Sequence, residues 1–415
     1  MNPRRKTWVI GSGFLGLCIA HELARREIPV GVVSDDWGEG RASYGNAGHI
    51  AVEQVETLAD PKVVRSLPSK LFSRGGPAAF PIKDIGSWLP FGLRYLKRST
   101  NAQFVQNSAA LKSLMSGALS AWQQLVIRLG HPEYLSTNGH AVVFESAESA
   151  SHGARHWLQA NCGDVNTALL SDDELRSIGA DVSAKLYGGV QFYGSGQLEN
   201  PGAVLDTLKT ALADVGTECR VGRLDGILPS VNGFTLKLAS GDELTADNVV
   251  IAAGARSHEL LQSFTLRVPL IAENGYHLEG PLHGSWSAKG PLVFEDRNVV
   301  VTRFGDRLRA TSFVEFANHR SPPDLRKWQR LNHHLNAIGI PMGGPRIPWM
   351  GARPTLPDYL PALGAVSRIP GLWTAFGHQH LGVTLAPISA SLLVARMRGE
   401  PSNINLDAFS VDRFI

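Results

Sequence analysis

Trp8-Val9-Ile10-Gly11-Ser12-Gly13-Phe14-Leu15-Gly16 is the stretch that decides the fold. Apolar residues run into a Gly-x-Gly-x-x-Gly turn, and a helical pattern follows at once through Leu17, Ile19, Ala20, Leu23 and Ala24. A strand, a tight turn and a helix in that order make the phosphate-binding unit of a dinucleotide fold. Gly11 takes backbone angles that a side chain forbids, Gly13 lets the backbone close on a pyrophosphate, and Gly16 brings helix and strand together. The phosphates then rest on unpaired N–H groups at the positive end of the helix. A second apolar strand, Val30-Gly31-Val32-Val33, supplies the context that separates this reading from a chance glycine turn.

The rest of the chain bounds what this unit belongs to. At 415 residues it exceeds what one core organises, so two domains are expected. With 43% hydrophobic and 19% charged residues it is an ordinary globular protein, and a formal charge of +3 argues against nucleic acid as a partner. Cys18, Cys162 and Cys219 lack C-x-x-C spacing, so neither a disulfide framework nor a metal site is expected, and a reducing, cytoplasmic compartment fits. No apolar run reads as long enough to cross a bilayer, and the basic start Met1-Asn2-Pro3-Arg4-Arg5-Lys6 reads as a short tail rather than a signal peptide. Phe91-Gly92-Leu93-Arg94-Tyr95-Leu96-Lys97-Arg98 admits a peripheral contact with the inner face of a membrane, although an amphipathic helix on the protein's own core is the favoured reading. The oligomeric state stays open.

Residues 35–49 are too rich in glycine for helix or strand, and a long loop just after the ribose-binding strand is expected to be functional. Residues 82–130 read as two helices, with Leu111, Leu114, Met115, Leu119 and Trp122 at helical spacing. Asn200-Pro201 reads as the N-cap and first residue of another helix. The strand ending in Val250-Ile251-Ala252-Ala253-Gly254 closes on small residues, as close approach of a backbone or ligand requires. Alternating strands follow over residues 266–316, and a final helix begins near Leu385.

Three features favour FAD over NAD. Helix-and-sheet insertions begin after the second strand, where an NAD domain would continue its βα run. The distant 249–254 strand has the shape of a second strand closing over an adenine dinucleotide. Ala375-Phe376-Gly377-His378-Gln379-His380-Leu381-Gly382-Val383-Thr384 opens into a helix whose N–H groups suit a partial negative charge on a flavin carbonyl. The expected fold class is α/β: a Rossmann-like FAD-binding domain of glutathione-reductase type, residues 1–85, 197–262 and 345–415, with an inserted α+β substrate domain built on an antiparallel sheet, residues 86–196 and 263–344. An NAD(P)-linked dehydrogenase is the competing reading.

With these residues in view, the chain resembles the D-amino-acid oxidase superfamily of flavoproteins, and within it the bacterial D-amino-acid dehydrogenase small-subunit group. The resemblance is carried by Gly11 to Gly16, Ser43-Tyr44-Gly45-Asn46-Ala47-Gly48, the 250–254 strand, Gly275-Tyr276-His277, Leu308-Arg309-Ala310-Thr311 with Glu315, Trp349-Met350-Gly351-Ala352-Arg353-Pro354-Thr355-Leu356-Pro357-Asp358, and the 377–382 turn. It implies non-covalent FAD and oxidation of an amine next to a carboxylate, the α-carbon hydride going to flavin N5 and the imino acid hydrolysing to a keto acid. A D-amino acid is the leading substrate. A cyclic or N-substituted one, such as a D-hydroxyproline, sarcosine or glycine, is the alternative, as is a flavin-binding subunit of a larger amine dehydrogenase. The electron acceptor is left open among quinone, protein and oxygen. The family's ribose-binding acid falls at Ser34 here, with Asp35 next to it.

The candidate cofactor residues are Gly11, Gly13, Phe14, Leu15 and Gly16, then Ser34 or Asp35, then Ser43, Asn46, Ala47 and Gly48 of the loop. Ala253 and Gly254, and Gly377, His378, Gly382, Val383 and Thr384 near the carboxyl end, complete them. Arg353 is expected to clamp the substrate carboxylate, because its planar, always-charged fork matches one, with an ion pair to Asp358 as the alternative. Tyr276 is expected on the substrate side, with an ordinary aromatic facing the core as the alternative, and His277 on the opposite face of the strand. His378 and His380 are expected to be neutral rings near the flavin or the amine, their charged forms disfavoured by helix N–H dipoles. Glu315 is expected to pair with Arg303 or Arg309. His49 is a remote candidate for a covalent flavin link.

Overall fold

A computed structural model describes residues 6–415; the tail read at residues 1–5 lies outside them. The near-continuous apolar runs Thr7–Ile10 and Val30–Ser34 are buried along their whole length, as strands covered on both faces must be. They lie in a six-stranded sheet ordered Glu218–Val221, Val30–Ser34, Thr7–Ile10, Asn248–Ile251, Leu372–Phe376, Ala362–Ala365, all neighbours parallel except the last pair. Alternation sorts the residues: Val9, Val32 and Val250 pack with the helices Phe14–Arg25, Pro201–Asp214 and Gly382–Met397. Trp8, Ile10, Val33 and Val249 pack on the small sheet Leu224–Ser230, Gly233–Leu238, Glu243–Ala246.

A second, nine-stranded sheet runs Ile347–Thr355, Ile271–Pro281, Arg307–Ala317, Val299–Phe304, Leu292–Phe294, His140–Phe144, Gly188–Tyr193, Asn166–Leu169, with the short Ala78–Ala79 beside Arg307–Ala317. Its strands are antiparallel apart from two parallel pairings. The helix Leu325–Ile338 seals one face through Leu331, Leu335 and Ile338. The other face meets the carboxyl ends of the parallel strands, where open α/β sheets bind their ligands.

Three expectations are corrected. Strand Ile347–Thr355, assigned by sequence to the FAD domain, pairs with Ile271–Pro281 and so belongs to the antiparallel sheet. Residues 82–130 form three main helices, not two, and Leu111, Leu114, Met115 and Trp122, assigned to the substrate domain, pack into the core beside Phe14–Arg25. Helical spacing shows that a stripe is buried without saying against what. Finally, one helical run, Gln379–Met397, is by length and apolar composition able to cross a membrane, contrary to the sequence reading; most of it is buried core. Trp122 Nε1 donates to Val383 O at 2.9 Å at its start.

Candidate active site

Between the two sheets lies a cavity of about 700 Å³ that reaches from Ser34 to Arg353 and His380. Its floor is the fingerprint turn. Gly11 has φ +121°, and a Cβ there would stand 2.3 Å from Ala252 O. A Cβ on Gly16 would stand 2.0 Å from Gly11 O, which is the close helix–strand approach the motif requires. The helix Phe14–Arg25 has no capping side chain and no acid in its first turn, so its positive end is left for an anion. Phe14 N–H instead donates to Ser43 Oγ at 3.1 Å, and the Phe14 ring turns inward, edge-on to Trp122 at 5.5 Å.

Ser34 and Asp35 both line the cavity and both are already engaged. Ser34 Oγ accepts from Ser12 Oγ at 3.1 Å and donates to Asp36 O at 3.0 Å, and Asp35 is paired with Arg256. Neither Arg256 nor Arg41 was singled out from sequence. Arg41 donates only to carbonyls, Ser12 O and Gly38 O, both at 2.8 Å, and makes no ion pair among the described residues. Burial lowers its pKa, and it lies against the phosphate turn where a pyrophosphate would neutralise it.

The 43–48 loop is pinned by the antiparallel sheet. Arg309 donates to Tyr44 O (3.0 Å) and Asn46 O (2.6 Å) while paired with Glu279 at 2.6 Å. His277 Nδ1 donates to Gly45 O at 3.0 Å, and its ring stacks on Trp349 at 4.9 Å. Asn46 Oδ1 accepts from Gly48 N at 2.7 Å, so Asn46 shapes the turn, and Ala47 lines the cavity.

At the far end, Glu273 and Gly275 of strand Ile271–Pro281 face the cavity, in register with Arg353 and Gly351 of its neighbour. The Arg353 guanidinium lies across Gly275, where a Cβ would be 2.3 Å from Nη2; the Trp349 indole fills the equivalent space at Gly351, 1.9 Å from a Cβ there. Arg353 does not pair with Asp358, which is held by Arg413 at 2.7 Å. Its Nη1 is 3.8 Å from Glu273 Oε1. Glu273, missed by sequence, is buried and accepts from Thr355 Oγ1 at 2.9 Å; burial raises its carboxyl pKa, opposed first by Arg353. A glutamate inside the apolar run Ile271-Ala272-Glu273 was the available signal.

Tyr276 is on the wrong face for the expected role. Alternation holds, but the sides are reversed: Tyr276 packs under Leu325–Ile338, donating to Glu315 Oε1 at 2.9 Å and accepting from Asp324 N at 3.1 Å. His277 is the residue that turns toward the loop. Glu315 pairs with the buried Lys327 rather than with Arg303 or Arg309.

His378 and His380 both line the cavity. His378 Nε2 meets Ser389 Oγ at 3.0 Å and His380 Nε2 donates to Gln54 Oε1 at 2.6 Å. Both pKa values are lowered to about 3, by burial, with Arg353 adding repulsion at His380; burial, not the expected helix dipole, is the cause. Leu15, Ala253, Gly254, Gly382 and Val383 line the cavity as expected. Phe14, Gly16, Gly48, Gly377 and Thr384 do not line it and act behind it. Gly377 (φ +81°) packs on Leu356, and Thr384 Oγ1 accepts from Ala51 N at 3.0 Å.

A glycine turn with no room for a Cβ at Gly11, an uncapped helix end, a lone arginine beside it and a cavity continuing to a second uncapped helix fit FAD. The FAD dependent oxidoreductase model of the DAO family matches residues 6–396. The chain belongs to this family. It is 30% identical to a D-amino-acid oxidase of Bradyrhizobium diazoefficiens over the whole of both chains, and 28% identical to a D-amino acid dehydrogenase of Paramagnetospirillum magneticum over 99% of each. Among solved structures it resembles glycine oxidase from Geobacillus kaustophilus, with TM-score 0.74, 20% identity and coverage of 99% and 100% of the two chains. The protein is thus an FAD-dependent oxidoreductase with the α/β, Rossmann-like architecture of that family.

Proposed function

We propose that this flavoenzyme oxidises the C–N bond of a small D-amino acid, with Arg353 holding the substrate carboxylate. The observation that carries this reading is the Arg353 guanidinium, laid flat over Gly275 at the cavity's far end with its nearest carboxylate 3.8 Å away. Bound there non-covalently, FAD would supply the acceptor for the α-carbon hydride. Gly11, Gly13, Leu15 and Arg41 would hold its phosphates, Ser34 and Asp35 would border its ribose, and Ala253, Gly382 and Val383 would line its path. Glu273 orients Arg353. Neutral His378 and His380 wall the site without placing a cation beside the amine. The imino product leaves to hydrolyse in water. The cofactor and substrate regions divide along the two sheets.

Anaerobic mixing with a panel of D-, L-, N-methylated and cyclic amino acids tests this. D-amino acids should bleach the flavin. Bleaching by glycine, sarcosine or cyclic imino acids alone would move the substrate to that class, and an oxidised flavin throughout would make the chain a non-catalytic subunit. Arg353→Lys keeps the charge but loses the fork, and should raise KM about tenfold to a hundredfold while leaving the flavin spectrum in place. Unchanged KM would remove Arg353 from the carboxylate site.

We further infer a cytoplasmic protein that docks on the inner membrane face. Helix Ile85–Arg98 buries Phe91 but leaves Ile85, Leu89, Leu93 and Leu96 exposed, with Ile82 at 85% just before it. Arg94, Lys97 and Arg98 border this row and continue to Arg267, a basic rim suited to anionic headgroups. Sedimentation with anionic but not neutral vesicles, abolished by Leu93→Glu, is the expected result; no sedimentation with either would rule it out.

A further inference from the structure

We propose that His49, Glu53 and His140 form a binding site for one first-row divalent cation, zinc by preference, in the wall beside the flavin cavity. No metal-ligand spacing is visible along the chain, because the ligands come from different elements. His49 opens the short strand His49–Ile50, Glu53 lies in the turn after it, and His140 begins the sheet strand His140–Phe144. The fold brings one ligand atom of each within 4.8 Å of the others. His49 Nε2 and His140 Nε2 are 3.8 and 4.0 Å from Glu53 Oε1. Tetrahedral ligands about 2.1 Å from zinc stand about 3.4 Å apart, so the two Glu53 pairs must shorten by about half an ångström and the His49–His140 pair by up to about 1.4 Å.

The second observation is the state of these atoms. Glu53 is 5% exposed, and its Oε2 has no hydrogen-bond partner; neither does His49 Nε2. Two buried polar atoms without a partner, Glu53 Oε2 and His49 Nε2, are unfavourable unless something bridges them. His140 is oriented to ligate such a bridge. Its Nδ1 is 2.9 Å from the buried Ser195 Oγ, and donation there leaves Nε2 as a bare lone pair, the usual support of a metal-bound histidine. The other cluster of this kind, His258, Glu259 and His319, is different in the respect that matters. Glu259 is already paired with Arg320 at 2.7 Å and faces Arg256 at 3.7 Å, so its charge is met. His-Glu-His with an open fourth position suits zinc or cobalt(II) better than calcium or magnesium, which take oxygen ligands.

The ion would clamp the 46–56 turn to the antiparallel sheet and so fix His49, which lines the flavin cavity, without taking part in the oxidation. The experiment is titration of chelator-treated, FAD-loaded enzyme with cobalt(II), read by visible d–d absorption against the flavin background, alongside zinc analysis of untreated enzyme. One cobalt per chain, displaced by zinc, is expected. Glu53→Gln and His140→Ala should each lose the band while keeping the flavin spectrum, and Glu259→Gln should keep both. No d–d band in the wild type, or a band that survives His140→Ala, overturns the proposal. Should both ligand variants fail to fold, the wild-type stoichiometry and the Glu259→Gln control decide it: a band lost in Glu259→Gln would place the ion at the other cluster.

Discussion

Lys327 places its Nζ, on a side chain 1% exposed, between Glu315, Asp324 at 3.1 Å and the faces of Phe72 and Tyr276. Such a buried set contributes little net stability when intact, but removing one partner strands the other charge. Lys327→Met should therefore destabilise the enzyme by about 3–5 kcal/mol in urea unfolding, and Lys327→Met with Glu315→Leu should recover much of it. Equal losses in the single and double variants would show that packing, not charge, is at stake. Histidines set the acid limit. His277 and His378 are 4% and 3% exposed, and burial lowers both to about 3. An unfolded histidine protonates near pH ~6.5, so below that the unfolded chain binds protons the folded chain refuses. Their contribution is complete above that pH and is lost as pH falls toward 3, by up to about 1.4 kcal/mol per histidine per unit. The urea midpoint should fall between pH 7 and 5, and His378→Gln should flatten the decline; a flat wild-type curve would sink the burial account.

The elements differ in how much of their role is written locally. The fingerprint was legible because its function is a backbone conformation, and glycine is the residue that permits it. That makes Gly13 and Gly16 separable. A Cβ at Gly16 meets backbone 2.0 Å away, so Gly16→Ala should push the helix off its strand, at about 1–3 kcal/mol of stability with FAD lost as well. A Cβ at Gly13 meets only Ser43 Oγ at 3.0 Å, so Gly13→Ala should spare the apoprotein's melting temperature and weaken FAD alone. If both variants lose stability equally, the two glycines do not have separate roles. Strand Ile271–Pro281 was half legible. Its alternation put Tyr276 and His277 on opposite faces, but which face meets the cofactor depends on a helix some fifty residues on in sequence, and no period of two encodes that. Arg41 and Glu273 were hidden for the same reason: their partners are distant, and single charges in loops or strands are ordinarily solvated or paired.

Across the whole molecule, the apolar strands and glycine turns were enough to announce two sheets, whereas the borders between them were not. Strand Ile347–Thr355, which carries Arg353, also bridges at Thr355 to His378 just before helix Gly382–Met397, so Arg353 and the cavity wall at His378 are tied together through the backbone. Because both sheets build the cavity, the cofactor should hold the molecule together. Free FAD at a hundred times its Kd adds about 2.7 kcal/mol to apoprotein stability by mass action, read as a concentration-dependent rise in melting temperature. A melting temperature indifferent to FAD would mean the sheets are docked without it. The missing Cβ atoms at Gly275 and Gly351 also say where new substrate preferences can arise. A library at those two positions would displace Arg353 and Trp349, whereas Val300 and Thr311, paired on neighbouring strands and lining the same cavity, can be varied without meeting either side chain.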